Sequence, residues 1–309
     1  MTNRPSDEEL VRAATDAGWL LEVEALKTLE VAGYTTIQGW AYQDPDDDTK
    51  SRELDAFGWR RFLEPGDSGV TVGSRVLVEC KQSSSPLAFI GRRRGLNPWP
   101  TQENHAWPYR KVGLPVVGRP GSVMHAKAWS TLGFDDIPSS PALDDFRAGQ
   151  MTKLQRNNKG WLADNAGIFE SLVMPLAKAL RASHANVRPS QWAYEHDADP
   201  PPSRSVVAAL HFPVVLTSAQ LLCIDATDDA PIVTAERWCS VERHLETANT
   251  SGRFLIDVVN HEHFADYLSE RVGAFTSGVA DRVRANPRLA THAQPGMEYD
   301  GTTGTVVHP

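Results

Sequence analysis

The chain opens with a helical period. Ser6-Asp7-Glu8-Glu9 reads as a capping box, a Ser N-cap with Glu at the third helical position. The pattern pauses at Gly18 and resumes from Trp19 to Ala32, with Gly33 as the stop. Glu22 then lies on the face of Ala25, Leu26 and Leu29, by spacings of three, four and seven. Glu24 shares the solvent side with Lys27 and Thr28. From Thr35 to Tyr42 the residues turn β-branched and aromatic, which predicts a strand. Segments 52–62 and 70–82 predict two more strands, joined by Pro65-Gly66-Asp67-Ser68-Gly69 as an antiparallel hairpin.

From about Ser83 to Gln150 no period is sustained, and Gly, Pro, Trp and Arg are frequent. So long an irregular stretch suggests a functional insert. Leu162, Phe169, Leu172, Val173, Leu176 and Leu180 predict a long helix within 154–183, kinked at Pro175. A loop follows over 186–203. Further strands are expected at 206–217, with Pro213 marking an edge or a bulge, and at 220–225, 232–241 and 254–259. A helix over 265–284 closes the pattern, and residues 286–309 read as a polar, frayed tail. Strands from both halves joining one mixed sheet with helices on its faces give an α/β fold. A single elaborated domain over 1–285 accommodates them all.

One strand run breaks its own pattern. Val76-Leu77-Val78 leads into Glu79-Cys80-Lys81. Alternation puts Leu77, Glu79 and Lys81 on one face and Val76, Val78 and Cys80 on the other. Charges at the end of so apolar a strand are uncommon unless paired or metal-bound. Asp55, on the preceding strand, adds a second hard-oxygen donor. The plainer alternative is a structural Glu79–Lys81 ion pair with Asp55 on the surface.

Glu22, Asp55 and Glu79-x-Lys81 resemble the active-site signature of the PD-(D/E)xK nuclease superfamily. There a helix carries Glu, and a β-meander carries Asp on one strand and (D/E)xK on the next. The resemblance covers about residues 19–90, and the stretch ALHFPVVLTSAQLLCID is similar to a later core strand and hairpin. Leu54 stands where the signature has Pro before the Asp. The resemblance implies a restriction-endonuclease-like mixed sheet flanked by helices. It implies catalytic roles for Glu22, Asp55, Glu79 and Lys81. It also implies Mg²⁺, with Mn²⁺ as substitute, held by Asp55, Glu79 and the Cys80 carbonyl. Lys81 would position or deprotonate the attacking water. Gln82 is expected to contact phosphate or extend the water network, and Arg92, Arg93 and Arg94 read either as a grip on the substrate backbone or as a solvated charge run.

Composition narrows the classes. Hydrophobic residues make up 41% and charged residues 23%, ordinary for a globular protein. A net charge of −8 argues against a non-specific DNA-coating protein, so any nucleic acid must meet a local basic patch. Three widely spaced cysteines, Cys80, Cys223 and Cys239, predict neither a disulfide framework nor a zinc site, and suit a reducing cytoplasm. The polar first residues suggest no signal peptide, and no stretch suggests a membrane span. Nine tryptophans, several beside proline, suggest ordered loops or a stacking surface. His261-Glu262-His263 diverge on a helix start, Asp46 to Asp48 read as a solvated loop, and no phosphate-cradling GxxxxGK[ST] loop occurs. The expected function is a metal-dependent nuclease, on DNA before RNA, in defence or repair. The alternative is a non-catalytic nuclease-fold protein that binds nucleic acid or a partner protein. A homodimer is compatible with either.

Overall fold

The structure, a computed structural model, describes residues 4–65, 70–93, 112–115, 123–126, 129, 132–144, 146–186, 206–286, 298–300 and 305–307. Helix α1 (Asp7–Asp16) carries the expected capping box: Glu9 N donates to Ser6 Oγ and Ser6 N to Glu9 Oε2. Helix α2 (Trp19–Val31) begins at Gly18, whose φ of 84° only glycine adopts readily. It ends in a Schellman turn, with Tyr34 N donating to Leu29 O and Gly33 N to Glu30 O. Leu21, Ala25, Leu26 and Leu29 are its buried face.

Strands β1 (Thr35–Asp44), β2 (Asp47–Leu63) and β3 (Val70–Lys81) form the expected meander. The turn residues 66–69 lie outside the described residues. Next come β4 (Leu87–Arg93), β5 (Val112–Pro115), β6 (Val123–Ala126), β7 (Phe146–Asn157) and β8 (Gly160–Asp164). A π turn, Phe169–Val173, leads into α3 (Met174–Asn186). The second half supplies β9 (Val206–Thr217), β10 (Leu221–Asp225), β11 (Ile232–Glu236), β12 (Trp238–Leu245) and β13 (Gly252–Asn260). The chain then passes through Phe264–Asp266 and the π turn Tyr267–Gly273 into α4 (Ala274–Ala285). Strands β14 (Glu298–Asp300) and β15 (Thr305–Val307) pair with β5 and β6 in a small second sheet.

The main sheet is mixed, ordered β1-β2-β3-β9-β13-β12-β7-β4-β10-β11, with β8 paired to β7. Its centre is parallel: β9 lies beside β3 on one side and β13 on the other. One face packs against α2 and α4 through Leu26, Leu29, Val76, Val78, Leu210 and Phe275. The other packs against α3 through Leu54, Leu77, Leu172, Leu176, Leu180 and Val258. This is the α/β arrangement expected, one mixed sheet with helices on its faces. Truncating a fully buried side chain such as Leu29 or Leu176 to Ala costs about 2–5 kcal/mol. No helix among the described residues is long and apolar enough to cross a membrane.

The main sheet doubles back on itself. Five strand steps separate β9 from β10 in the order, about 24 Å if the sheet were flat. The link of residues 218–220 reaches only about 14 Å. Strands β4 and β10 therefore run on from the ends of β3 and β9, and the sheet curls to bring them there.

Several expectations are corrected. The helix over 154–183 starts only after β7 and β8. Asn157 Oδ1 accepts from Lys159 N and Gly160 has φ 125°, so the intervening residues turn a hairpin. Pro175 stands one residue into α3, just after the π turn Phe169–Val173, and has no N–H to donate back into that turn. The insert is not wholly irregular, since β4 joins the main sheet. Pro213 is in a central strand, yet one residue ahead of the first β13 pair, Val214 with Asp257. Segment 232–241 divides at Arg237 into an exposed edge strand and an inner one. The tail carries β14 and β15. Of the expected loop over 186–203, Asn186 ends α3, and residues 187–203, like Arg94, lie outside the described residues.

Candidate active site

The site lies where β3 ends. The β2–β3 ladder runs to Ala56 opposite Val78, and one step further a side chain takes over. The N–H of Cys80 donates to Asp55 Oδ2 at 2.6 Å. On the other side of β2, the pairing with β1 skips from Gln38–Ala56 to Trp40–Leu54. The skipped residue, Gly39, has φ 59°, and a Cβ there would meet Glu53 Oε1 at 2.9 Å. Regular alternation would give Leu54 and Ala56 the same face. Instead Leu54 packs in the α3 core and Ala56 in the α2 core. The strand rotates locally at Asp55, and that rotation frees the carboxylate to reach the β3 backbone.

Glu79 is buried, its side chain 11% exposed, and Lys81 is more open at 40%. Lys81 Nζ stands 2.9 Å from Glu79 Oε1. Burial raises the pKa of Glu79, and the charge of Asp55 raises it further, against the pull of Lys81. Burial likewise raises Asp55, opposed by the Cys80 N–H and by Lys81. Glu22 is partly buried at the boundary of α2, and burial, Asp55 and Glu53 raise it. Burial works against the charge of Lys81, but Glu79 and Asp55 outweigh it, so its pKa is raised. Glu22, Asp55, Glu79 and Lys81 therefore form one electrostatic cluster. Glu24, as its period predicts, is exposed, and faces His261 Nδ1 at 3.3 Å.

The strand end is clamped from β9. Thr217 Oγ1 donates to Lys81 O at 2.8 Å, and Ser83 N donates to Ser218 Oγ at 2.9 Å. Gln82, exposed, lies against the start of α2: a Cβ on Gly18 would be 3.7 Å from Gln82 Cβ. Sequence reasoning missed Thr217, Ser218 and Gly39. The one readable signal was a Thr-Ser pair ending an apolar strand.

Other expected residues lie elsewhere. Arg92 and Arg93 are exposed at the far end of β4, about 20 Å along the strand from Leu87. Arg93 Nε pairs with Asp225 Oδ2 at 3.0 Å. The structure does not bring these two arginines to the carboxylates. His261 and His263 face separate acids, Glu24 and Asp266. Asp46 is not in a solvated loop: its carboxylate meets Lys178, Thr247 and Asn249 N.

Among the described residues no three His, Cys, Asp or Glu side chains gather as a ready-made metal cage. Magnesium does not need one, because it keeps several waters and uses one or two carboxylates. Asp55 and Glu79 are hard-oxygen donors, the charge of Asp55 raises the proton affinity of Glu79, and a cation between them would relieve that repulsion. The donor set fits Mg²⁺ or Mn²⁺. Cys80 enters this geometry through its N–H, which positions Asp55. Comparison with protein-family models, curated proteins and solved structures returns no match.

Proposed function

We propose that this chain is a divalent-metal-dependent phosphodiesterase of nucleic acid, with DNA the first substrate to test, built on a restriction-endonuclease-like sheet. The observation that carries the reading is the buried Glu79, held beside Lys81 and coupled to Asp55 and Glu22. A fold has no need of a buried Glu79 whose pKa Asp55 and Glu22 both raise, whereas a cation acting on an anionic ester has use for such a set. The order of helix, meander and parallel neighbour strand supports the same reading.

Asp55 and Glu79 would hold the cation. Bound there, it supplies Lewis acidity toward a phosphate oxygen and makes its water more acidic. The other roles belong to the chain. Lys81 keeps its proton, so it acts as a cation that orients the attacking water and offsets charge in the transition state. Sequence left open whether Lys81 is the base; its raised pKa favours the electrostatic role. Glu22, whose proton affinity is raised, is suited to accept the proton that the attacking water releases. The Cys80 N–H keeps Asp55 in place, and the Thr217 and Ser218 contacts hold the strand end rigid.

The test is a cleavage assay with Mg²⁺ or Mn²⁺ on supercoiled DNA, single-stranded DNA and RNA. Wild-type protein should cut at least one. Glu79→Gln and Lys81→Met should each lose about 100-fold or more. A wild-type protein inert on all three substrates, or variants cutting at the wild-type rate, would overturn the assignment.

A further inference from the structure

Cys239 stands three strand positions from Glu79 across the sheet, through Val258 and Val215, and neither it nor Cys223 has a part in that chemistry. They lie on β10 and β12, which are not hydrogen-bonded neighbours, since β7 and β4 stand between them in the sheet order. The curl nevertheless brings their sulfurs to 3.0 Å. Both residues are buried, yet both line a cavity of about 350 Å³, together with Phe146, Trp238, Asp144 and Ser240. Cys80 sits in the other core layer, beside α2, so it does not compete for either sulfur.

We propose that Cys223 and Cys239 are a redox site that closes reversibly to an intramolecular disulfide, with a low-molecular-weight disulfide as the oxidant. A disulfide bond is about 2.05 Å long, so the sulfurs need to close by roughly 1 Å. Buried thiols are ordinarily inert for want of access. Here the cavity admits the reagent, its volume being at the lower end of small-molecule sites. The contact with Cys223, together with burial, raises the pKa of Cys239. Exchange should therefore be slow at neutral pH and faster as pH rises.

The exchange balances in two steps. One cysteine, as thiolate, attacks a sulfur of the small disulfide. That S–S bond breaks, and one small thiolate leaves and takes up the proton the cysteine gave. The second cysteine, once deprotonated, attacks the protein-bound sulfur of the mixed disulfide. The Cys223–Cys239 bond forms and the second small thiolate leaves, again taking a proton. Two protein thiols are oxidised, and one small disulfide is reduced to two thiols. This site stands or falls independently of the phosphodiesterase reading.

The test exposes the folded protein to hydroxyethyl disulfide or oxidised glutathione, then alkylates it in denaturant. The expected result is a protein lighter by two hydrogens before alkylation, with Cys80 alone alkylated. Peptide mapping should link Cys223 to Cys239, and dithiothreitol should reverse it. Cys223→Ala should abolish the intramolecular product, and Cys80→Ala should keep it. All three cysteines remaining alkylatable after both oxidants, across pH 7 to 9, would overturn the proposal. So would a disulfide that includes Cys80. The wild-type result decides the matter even if a variant does not fold.

Discussion

The backbone N–H of Cys80 donates to the side chain of Asp55, so a carboxylate of β2 completes the ladder of β3. The bond joins the two strands where regular pairing ends. It ties the position of one acid to the strand that carries Glu79 and Lys81.

That bond separates two roles of Asp55. Asp55→Asn keeps an oxygen for the Cys80 N–H and removes the charge. Asp55→Ala removes both. Both variants should lose cleavage, but Asp55→Ala should be the less stable by about 1–2 kcal/mol, the cost of an unsatisfied buried donor. Urea unfolding in chelator measures the difference. Equal stabilities would show that the bond contributes nothing.

Glu79→Gln should leave the metal-free protein as stable as wild type or more so, because it removes one of a set of mutually repelling carboxylates. Activity should fall at the same time. Thermal melts in chelator, beside the cleavage assay, read both quantities. A melting temperature lowered by more than about 5 °C would mark Glu79 as a structural residue.

Mg²⁺ and Mn²⁺ should support turnover, while Ca²⁺ binds and raises the melting temperature with little cleavage, being larger and geometrically looser. Asp55→Asn and Glu79→Gln should weaken the Ca²⁺ shift. A shift of wild-type size in both variants would move the cation away from these two residues.

A different acid governs behaviour at low pH. Burial alone would raise the pKa of Asp44, but Lys178, Arg52 and the Asp46 N–H pull it down to about 2. Lys178 Nζ lies 2.8 Å from Asp44 Oδ1 and 3.1 Å from Asp46 Oδ2. A depressed carboxylate stabilises the fold above its unfolded pKa, about 3.9, and that contribution is lost as pH falls toward 2. Lys178→Met should cost about 3 kcal/mol at pH 7, since it leaves a buried charge with fewer partners. The loss should shrink between pH 4 and 2. Unfolding curves across that range check the sign; a loss that grows on acidification would contradict it.

The meander and the inward face of Glu22 were legible in the sequence because both rest on local periods. Leu21, Ala25, Leu26 and Leu29 are buried as a helical spacing requires, and Glu22 stands at their boundary. The β7–β8 hairpin was misread because Leu154 and Leu162 also fit a helical spacing, while its turn at Asn157–Gly160 is a weaker cue. The arginines illustrate a further limit. Arg92 follows Lys81 closely in the chain, but an extended strand carries each residue about 3.3 Å onward. Neither the rotation at Asp55 nor the curl of the sheet has any local signature. The rotation shows only once Gly39 and Cys80 flank Asp55, and the curl depends on partners from the second half of the chain.

The clamp on Lys81 has a consequence for synthesis. Thr217 and Lys81 are 136 residues apart, and the Asp46 carboxylate meets Thr247 across 201 residues. Contacts so distant in sequence form late and make folding slow. While the first half emerges, β3 is an edge without its parallel neighbour, and the acids at its end are not yet held in register. A partial chain thus exposes a sticky strand but lacks a finished site. On the proposed reading, a substrate is safe from the cluster until β9 and β13 have been translated and have docked.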